Sequence, residues 1–454
     1  MEAIVSKFLC IALSVMMLVT AYVASRVARS WLVPACIYSI AWFLFTFIPL
    51  VTVITVPANP LAIGYILLTC IAFSLPVLVT RWPAIANEPP SNEQGAALFD
   101  TTFLRLTFFF FAALALIALI INSMIQGLSL TSLVSNFFIT SNALIADRYN
   151  DNLAASIFGQ IANVACYIAV GLGGLTFPGF RTWLSRGVAL IAAMLPSLIV
   201  MVVFGAKGMI FLCIAMFYAG TLVRRLRNKD NRLIDRRTVV RVIIAILILL
   251  PFITISFVAR GLYEGNAKFS LGEGLMRYYV SYTCAHIYAF SDWFTAYIGQ
   301  SASQIYVSEE VTKGFYTFMS IFEWLGSTRE VPPGVYAEYF QYGNYLQTNI
   351  YTIFRGLITD FTLIGSLASC LFAGLICNTI FVAMARNRFS SWSVAFYIVM
   401  AGFIYTSFII SLLIWNSSYP TFIVIALVLI INNARFRAGR AKSAPTQYPE
   451  GFRA

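Results

Sequence analysis

Apolar runs of about twenty residues recur along almost the whole chain, and nothing constrains its fold more. A helix needs about 20 apolar residues to cross a bilayer core of about 30 Å, where every backbone polar group must be satisfied internally. On that rule the spans fall at 4–24, 31–53, 60–80, 103–125, 153–177, 187–204, 209–223, 242–258, 356–385, 392–414 and 419–434. The count is about eleven, in a range of 10–12. The pair 187–223 is divided at Gly205-Ala206-Lys207-Gly208. As one helix it would run about 55 Å at 1.5 Å per residue, too long to cross once. The halves are short, so a partly re-entrant arrangement stays open beside two spans. The expected fold class is an all-α polytopic membrane protein. Composition agrees, with 60% hydrophobic and 11% charged residues, where soluble domains carry roughly 25% charged.

The positions of the charges set an orientation. A net charge of +12 would suit a nucleic-acid binder, but most Lys and Arg lie in short gaps between apolar runs. One set of gaps holds Arg26, Arg29, Arg81, Arg105, Arg181, Arg186, the segment 224–241, Arg386, Arg388 and the tail. It carries 21 Lys/Arg against 6 Asp/Glu, and the other set carries 9 against 12. The positive-inside rule makes the first set cytoplasmic. The N-terminus is then outside and the C-terminus inside. The basic segment 224–241 reads as topogenic charge beside anionic lipid. The resulting division is 1–258 (helices 1–8, outer loop 126–152, basic loop 224–241), an outer cap 259–355, helices 9–11 over 356–434, and a basic tail 435–454.

Several chemistries are excluded. Seven of the eight cysteines lie inside apolar runs, Cys284 stands apart, and His286 is the one histidine. No Cys/His metal spacing, histidine-based acyltransferase pattern or Gly-x-Ser-x-Gly elbow exists. The start of the chain fits a signal peptide poorly and reads as an uncleaved helix. The first outer loop, Pro57-Ala58-Asn59-Pro60, has no carboxylate, which argues against metal-dependent lipid-linked glycosyltransferases. Asp147 and Asp151 give only a weak cation signal.

The outer segment 259–355 holds 23 aromatic residues in 97, 24% against 15% for the whole chain. That is too aromatic for a flexible linker, so a folded or half-embedded cap is expected, with Pro332-Pro333-Gly334 as a turn. Tyr279, Tyr282, His286, Phe290, Trp293 and Tyr297 share one helical face. The plainer reading is an interfacial helix with its rings among headgroups; the functional one is a platform for sugar rings. The outer cations Arg148, Lys207, Arg260, Arg277, Arg329 and Arg355 could take phosphate oxygens. Lys207, between glycines at a helix–helix break, either meets an anion there or snorkels to the headgroups. Arg148 sits between Asp147 and Asp151, which suggests a local salt-bridge turn. Arg260 reads as the mark of a helix end.

Arg355 and Asp360 stand at the mouth of the next apolar run, where charge is costly unless paired, wet or used. Five residues turn a helix by about 140°, so the two do not share a face. Arg355 lies just before the helix that starts at Gly356, and a binding role is favoured for it. Asp360 orients Arg355 or caps the chain end.

The stretch Thr348-Asn349-Ile350-Tyr351-Thr352, then Arg355, then Asp360-Phe361 resembles the signature of bacterial oligosaccharide repeat-unit polymerases, the Wzy-type O-antigen and capsule enzymes. The Tyr282–Phe290 region and Gly205-Ala206-Lys207 are similar to weaker blocks of that family. Detailed likeness covers about thirty residues. Two positions depart from it: Thr362 stands where the family often has Gly, and Lys207 where Arg is common. The resemblance implies a GT-C-like fold with a periplasmic cap, in the bacterial inner membrane. It implies a metal-independent glycosyltransferase without cofactor. Its substrates are undecaprenyl-pyrophosphate-linked oligosaccharides, as donor and acceptor, with membrane lipid and a chain-length regulator protein as partners and no nucleic acid. An acceptor hydroxyl attacks the anomeric carbon and pyrophosphate leaves. Lys207 and Arg355, helped by Arg148 or Arg277, would stabilise that leaving charge. His286, Glu338 and Asp360 are the general-base candidates. Tyr282, Glu338, Asn349, Tyr351 and Thr352 complete the substrate-binding set.

Two other classes compete. A lipid-linked oligosaccharide flippase or transporter would show matched halves and mid-membrane charges, and this chain shows neither. An O-antigen ligase-like enzyme would place a histidine at the outer start of a late helix; His286 lies about seventy residues before it.

Overall fold

The computed structural model describes residues 2–80, 82, 96–150, 152–153, 156–262, 270–307, 310–329, 335–386 and 390–443. Arg81, Asp151, Pro332-Pro333-Gly334, Arg388 and the end of the tail lie outside the described residues. Ten helices among those described are long and apolar enough to cross a membrane. We number the helices α1 Glu2–Ala28, α2 Pro34–Thr52, α3 Pro60–Ser74, α4 Thr102–Ile125, α5 Leu130–Ser135, α6 Phe137–Tyr149, α7 Ile157–Thr176 and α8 Trp183–Val203. The rest are α9 Lys207–Arg227, α10 Arg236–Phe257, α11 Leu271–Tyr297, α12 Met319–Trp324, α13 Thr352–Ala385, α14 Ser390–Thr406 and α15 Ser418–Ser443. The protein is an all-α, multi-pass membrane protein.

Three expectations change. The run 187–223 forms two helices of 21 residues each, α8 and α9. At 1.5 Å per residue each is about 31 Å long, enough to cross, and the re-entrant arrangement is dropped. The run 392–414 breaks: α14 stops at Thr406 after 17 residues, and only a short 3-10 turn, Leu412–Ile414, follows. Polar bonds hold that break, with Ser411 Oγ donating to the Thr317 carbonyl and Ser320 Oγ to that of Leu413. Lastly, α13 begins at Thr352, so Arg355 stands inside the first turn of its helix and not ahead of it.

Local signals explain the starts. Pro60 opens α3 behind Asn59, whose side chain accepts from Leu61 N, as Pro at the first turn and an Asn cap should. Asp235 caps α10 by accepting from Thr238 N at 2.6 Å. Ser270 and Glu273 form a reciprocal capping box at α11. Packing depends on bare backbone at crossings. A Cβ on Gly174 of α7 would lie 2.0 Å from the Phe217 carbonyl oxygen of α9, and one on Gly374 of α13 would lie 2.1 Å from that of Phe73 on α3. Small residues allow such approach in membranes, where contact and not hydrophobicity drives association.

At the basic end, Arg224 is buried and clamps Asp100 with two bonds of 2.8 and 3.0 Å. The segment read as topogenic charge therefore also carries a structural ion pair. At the other end, Lys7 is buried and donates to the Val56 carbonyl and the Tyr288 hydroxyl, both at 2.7 Å. It ties α1 to the α2–α3 loop and to α11.

The segment between α10 and α13 packs on that same end. Helix α11 lies against α2, α3 and α13. A two-stranded antiparallel hairpin, β1 Phe340–Tyr342 and β2 Leu346–Thr348, pairs Phe340 with Thr348 and packs on α11. The aromatic face of α11 is present but points inward. His286, Phe290 and Trp293 are buried, and Tyr282 is half-buried. Neighbouring elements cover His286, Phe290 and Trp293, so neither a headgroup belt nor an open sugar platform describes that part of the stripe, while Tyr297 at its end is exposed.

Candidate functional site

Two cation centres lie along α11. The first is built at the α8–α9 break. Gly205 takes φ +68, a turn that glycine adopts freely, and the chain reverses to start α9 at Lys207. That lysine is 5% exposed. Its ammonium lies 4.3 Å from the centroid of Phe257 and 5.3 Å from that of Tyr282. It has no hydrogen-bond partner among the described residues. Arg148 and Arg260 both act on it electrostatically. Arg148 donates to the Phe204 carbonyl at 3.1 Å, at the C-terminal end of α8, where a cation also meets the helix dipole. The expected salt-bridge turn named Asp147 and Asp151: among the described residues no ion pair joins Arg148 to Asp147, and Asp151 lies outside them. Arg260 donates to the Tyr282 hydroxyl and sits 5.6 Å from the rings of both Tyr278 and Tyr282. It is more than the mark of a helix end.

An ammonium held away from water without an anion is expensive. Ring faces offset part of that, by about 2 kcal/mol or more in a desolvated setting. A phosphate-type anion is the natural complement of a buried lysine flanked by two guanidinium groups.

The second centre is Arg355, 1% exposed. Its guanidinium lies 4.0 Å from the ring of Tyr336, 4.4 Å from Tyr351, 5.6 Å from Trp293 and 5.7 Å from Tyr306. Nη2 donates to Glu338 Oε2 at 3.0 Å, and Tyr351 Oη donates to the Glu338 carbonyl at 3.0 Å. Arg355 is thus boxed by rings and ion-paired through Nη2, its Nη1 having no hydrogen-bond partner among the described residues, and it joins the start of α13 to the segment just before β1. This revises its expected place beside Lys207. Tyr282 and Trp293 share a face of α11 eleven residues apart, which is about 16 Å at 1.5 Å per residue. Among the described residues the two cations have no ring, bond or ion-pair partner in common.

Asp360 is fully buried and accepts four bonds. Oδ1 takes Thr312 Oγ1 at 2.6 Å and Tyr316 N at 3.0 Å; Oδ2 takes Thr317 N at 2.7 Å and Thr317 Oγ1 at 2.6 Å. It organises the 312–317 turn and neither orients Arg355 nor caps its own chain end. Two residues on, Thr362 has φ 65 and ψ 178, a region close to glycine-only. The departure from the family pattern at this position is therefore a strained one. Thr352 also has positive φ, at 68, so the ten residues 352–361 form a separate helical piece between two unusual joints.

His286 is buried against Phe45 and Phe408, and its Nε2 lies 3.0 Å from the Phe45 carbonyl oxygen. Burial lowers its pKa to about 4. Among the described residues its hydrogen bond and ring contacts reach neither Lys207 nor Arg355. Arg277 donates to Gln347 Oε1 at 2.6 Å, fastening α11 to β2. Asn349 is half-buried in the link from β2 to α13, while Tyr351 and Thr352 are fully buried. Of the three proton acceptors expected, Glu338 alone keeps notable side-chain exposure, 19%.

Sequence reading missed Phe257, Tyr278, Tyr306 and Tyr336 as partners of the cations. The density of Tyr in 259–355 was the available signal, but pairing ring to cation requires the fold. No family model, curated protein or solved structure matches the chain.

Proposed function

We propose that this protein is a glycosyltransferase of the inner membrane that polymerises oligosaccharide repeat units carried on undecaprenyl pyrophosphate. The observation that carries the reading is the buried Lys207 side chain with no hydrogen-bond partner among the described residues, beside Arg148 and Arg260. A departing diphosphate supplies the missing anion, and preorganised charge away from water stabilises it strongly. In this reading the 259–355 segment is the periplasmic cap of a GT-C-like fold. The acceptor hydroxyl bonds to the anomeric carbon, the bond from that carbon to the phosphate oxygen breaks, and the hydroxyl proton passes to a base. Arg355 serves as the pin that holds the cap to α13, which withdraws it from the pyrophosphate-holding role. The resemblance of Thr348–Phe361 to the polymerase signature supports the same class.

The test is deletion of the gene in a smooth strain, followed by lipopolysaccharide electrophoresis. Core carrying a single repeat unit is expected, with the long ladder restored by the wild-type gene and not by K207M. Core with no repeat unit would instead indicate a ligase or flippase and overturn the reading.

A further inference from the structure

Among the described residues Lys207 meets the rings of Phe257 and Tyr282 and has no hydrogen-bond partner. Phe257, the last residue of α10, is 1% exposed. It stacks on Tyr278 at 5.2 Å with an interplanar angle of 8°, and meets Tyr279 and Tyr282 edge-on at 5.1 and 5.2 Å. This aromatic cluster grips the end of α10 and presents ring faces to Lys207 and Arg260. A carboxylate in the same place would neutralise Lys207 and compete with any incoming anion. A ring face stabilises the ammonium through its quadrupole while leaving the positive charge unneutralised.

We propose that Phe257 and Tyr282 are positioning residues that stand in for a counter-ion, keeping Lys207 charged, buried and open to a diphosphate group. This rests on the reading of the first centre as the diphosphate site. Without the ring faces the long lysine side chain turns toward the headgroups, as lysines near helix ends do. Binding must then pay for ordering it again. The rings do not touch the ligand in this account; they act through Lys207.

The experiment measures binding of inorganic diphosphate to the full-length protein in nanodiscs, as wild type and as F257L, F257W, Y282L and Y282F. The ring-removing variants F257L and Y282L are expected to bind about ten- to thirty-fold more weakly, the range set by a desolvated cation–ring contact. F257W and Y282F keep a ring face and are expected within about three-fold of wild type. A packing role alone would lower the folded fraction of Y282L and leave the affinity of the folded protein at the wild-type value, and Tyr282 is only half-buried, so its variants test the idea even where F257L does not fold. Equal binding by Y282L, Y282F and wild type overturns the positioning role while leaving the polymerase reading intact. Failure of wild type to bind diphosphate overturns the site itself. Core with no repeat unit at all in the deletion test above overturns the polymerase reading, and leaves a diphosphate site with a different use.

Discussion

Replacing Arg355 separates a structural pin from a ligand-binding residue. In R355A the guanidinium leaves a site bounded by Tyr336, Tyr351, Trp293 and Tyr306, and Glu338 loses its 3.0 Å partner. Breaking a buried ion pair by removing one member destabilises by about 3–5 kcal/mol. Glu338 keeps 19% of its side-chain surface, so water relieves part of its loss and the lower end of that range applies, about 3 kcal/mol. The four ring contacts share one cation and are not summed. The variant should therefore unfold at a clearly lower temperature in nanodiscs. A double-mutant cycle with E338A should show a coupling of about 2 kcal/mol, inside the range for residues in direct contact. E338A alone should be costly too, because it leaves the Arg355 charge buried among rings. Activity should fall in step with the folded fraction. An R355A protein that melts like wild type yet makes no polymer would refute this reasoning and return Arg355 to the ligand.

Other perturbations test neighbouring features. T362G should raise stability by about 1 kcal/mol, since relief of roughly 1–3 kcal/mol of backbone strain exceeds the entropy that glycine adds to the unfolded chain; Thr362 is exposed, so no packing is lost, and a lower melting temperature would contradict the strain. D360A should loosen the 312–317 turn, because two buried backbone amides lose their acceptor at about 1–3 kcal/mol each; faster hydrogen exchange at Tyr316 and Thr317 checks it. G174A should separate α7 from α9 and lower stability by at least about 1–3 kcal/mol, because the added methyl meets backbone that cannot swing aside; unchanged melting would argue against the close crossing.

How much of this was legible beforehand depends on the range of the force involved. Apolar runs report on the bilayer, a local rule, so spans such as Thr102–Ile125 and Ile157–Thr176 stand close to their expected limits. The break at Gly205–Gly208 was legible from helix length alone. The end of α14 at Thr406 was not, because the apolar pattern continues through it and the break is made by distant bonds to Thr317 and Ser320. Arg355 and Asp360 stood out as charges in an apolar setting, but their partners lie 17 residues away at Glu338 and 43 to 48 at Thr317 and Thr312. Spacing could exclude a shared helical face and could not supply those partners. Lys207 kept two open readings because snorkelling and anion binding use the same residue at the same depth. Its burial against Phe257 and Tyr282 removes snorkelling, and anion binding is the reading proposed for it.

The central claim is the proposal that the substrate's diphosphate is the anion that buried Lys207 lacks among the described residues. Purified protein in nanodiscs, given undecaprenyl-pyrophosphate-linked repeat units, tests this most directly through the length of the glycan products. The account predicts a ladder of products with release of undecaprenyl pyrophosphate for wild type, and only the starting unit for K207M at an unchanged melting temperature. A ladder from K207M matching that of wild type would contradict it.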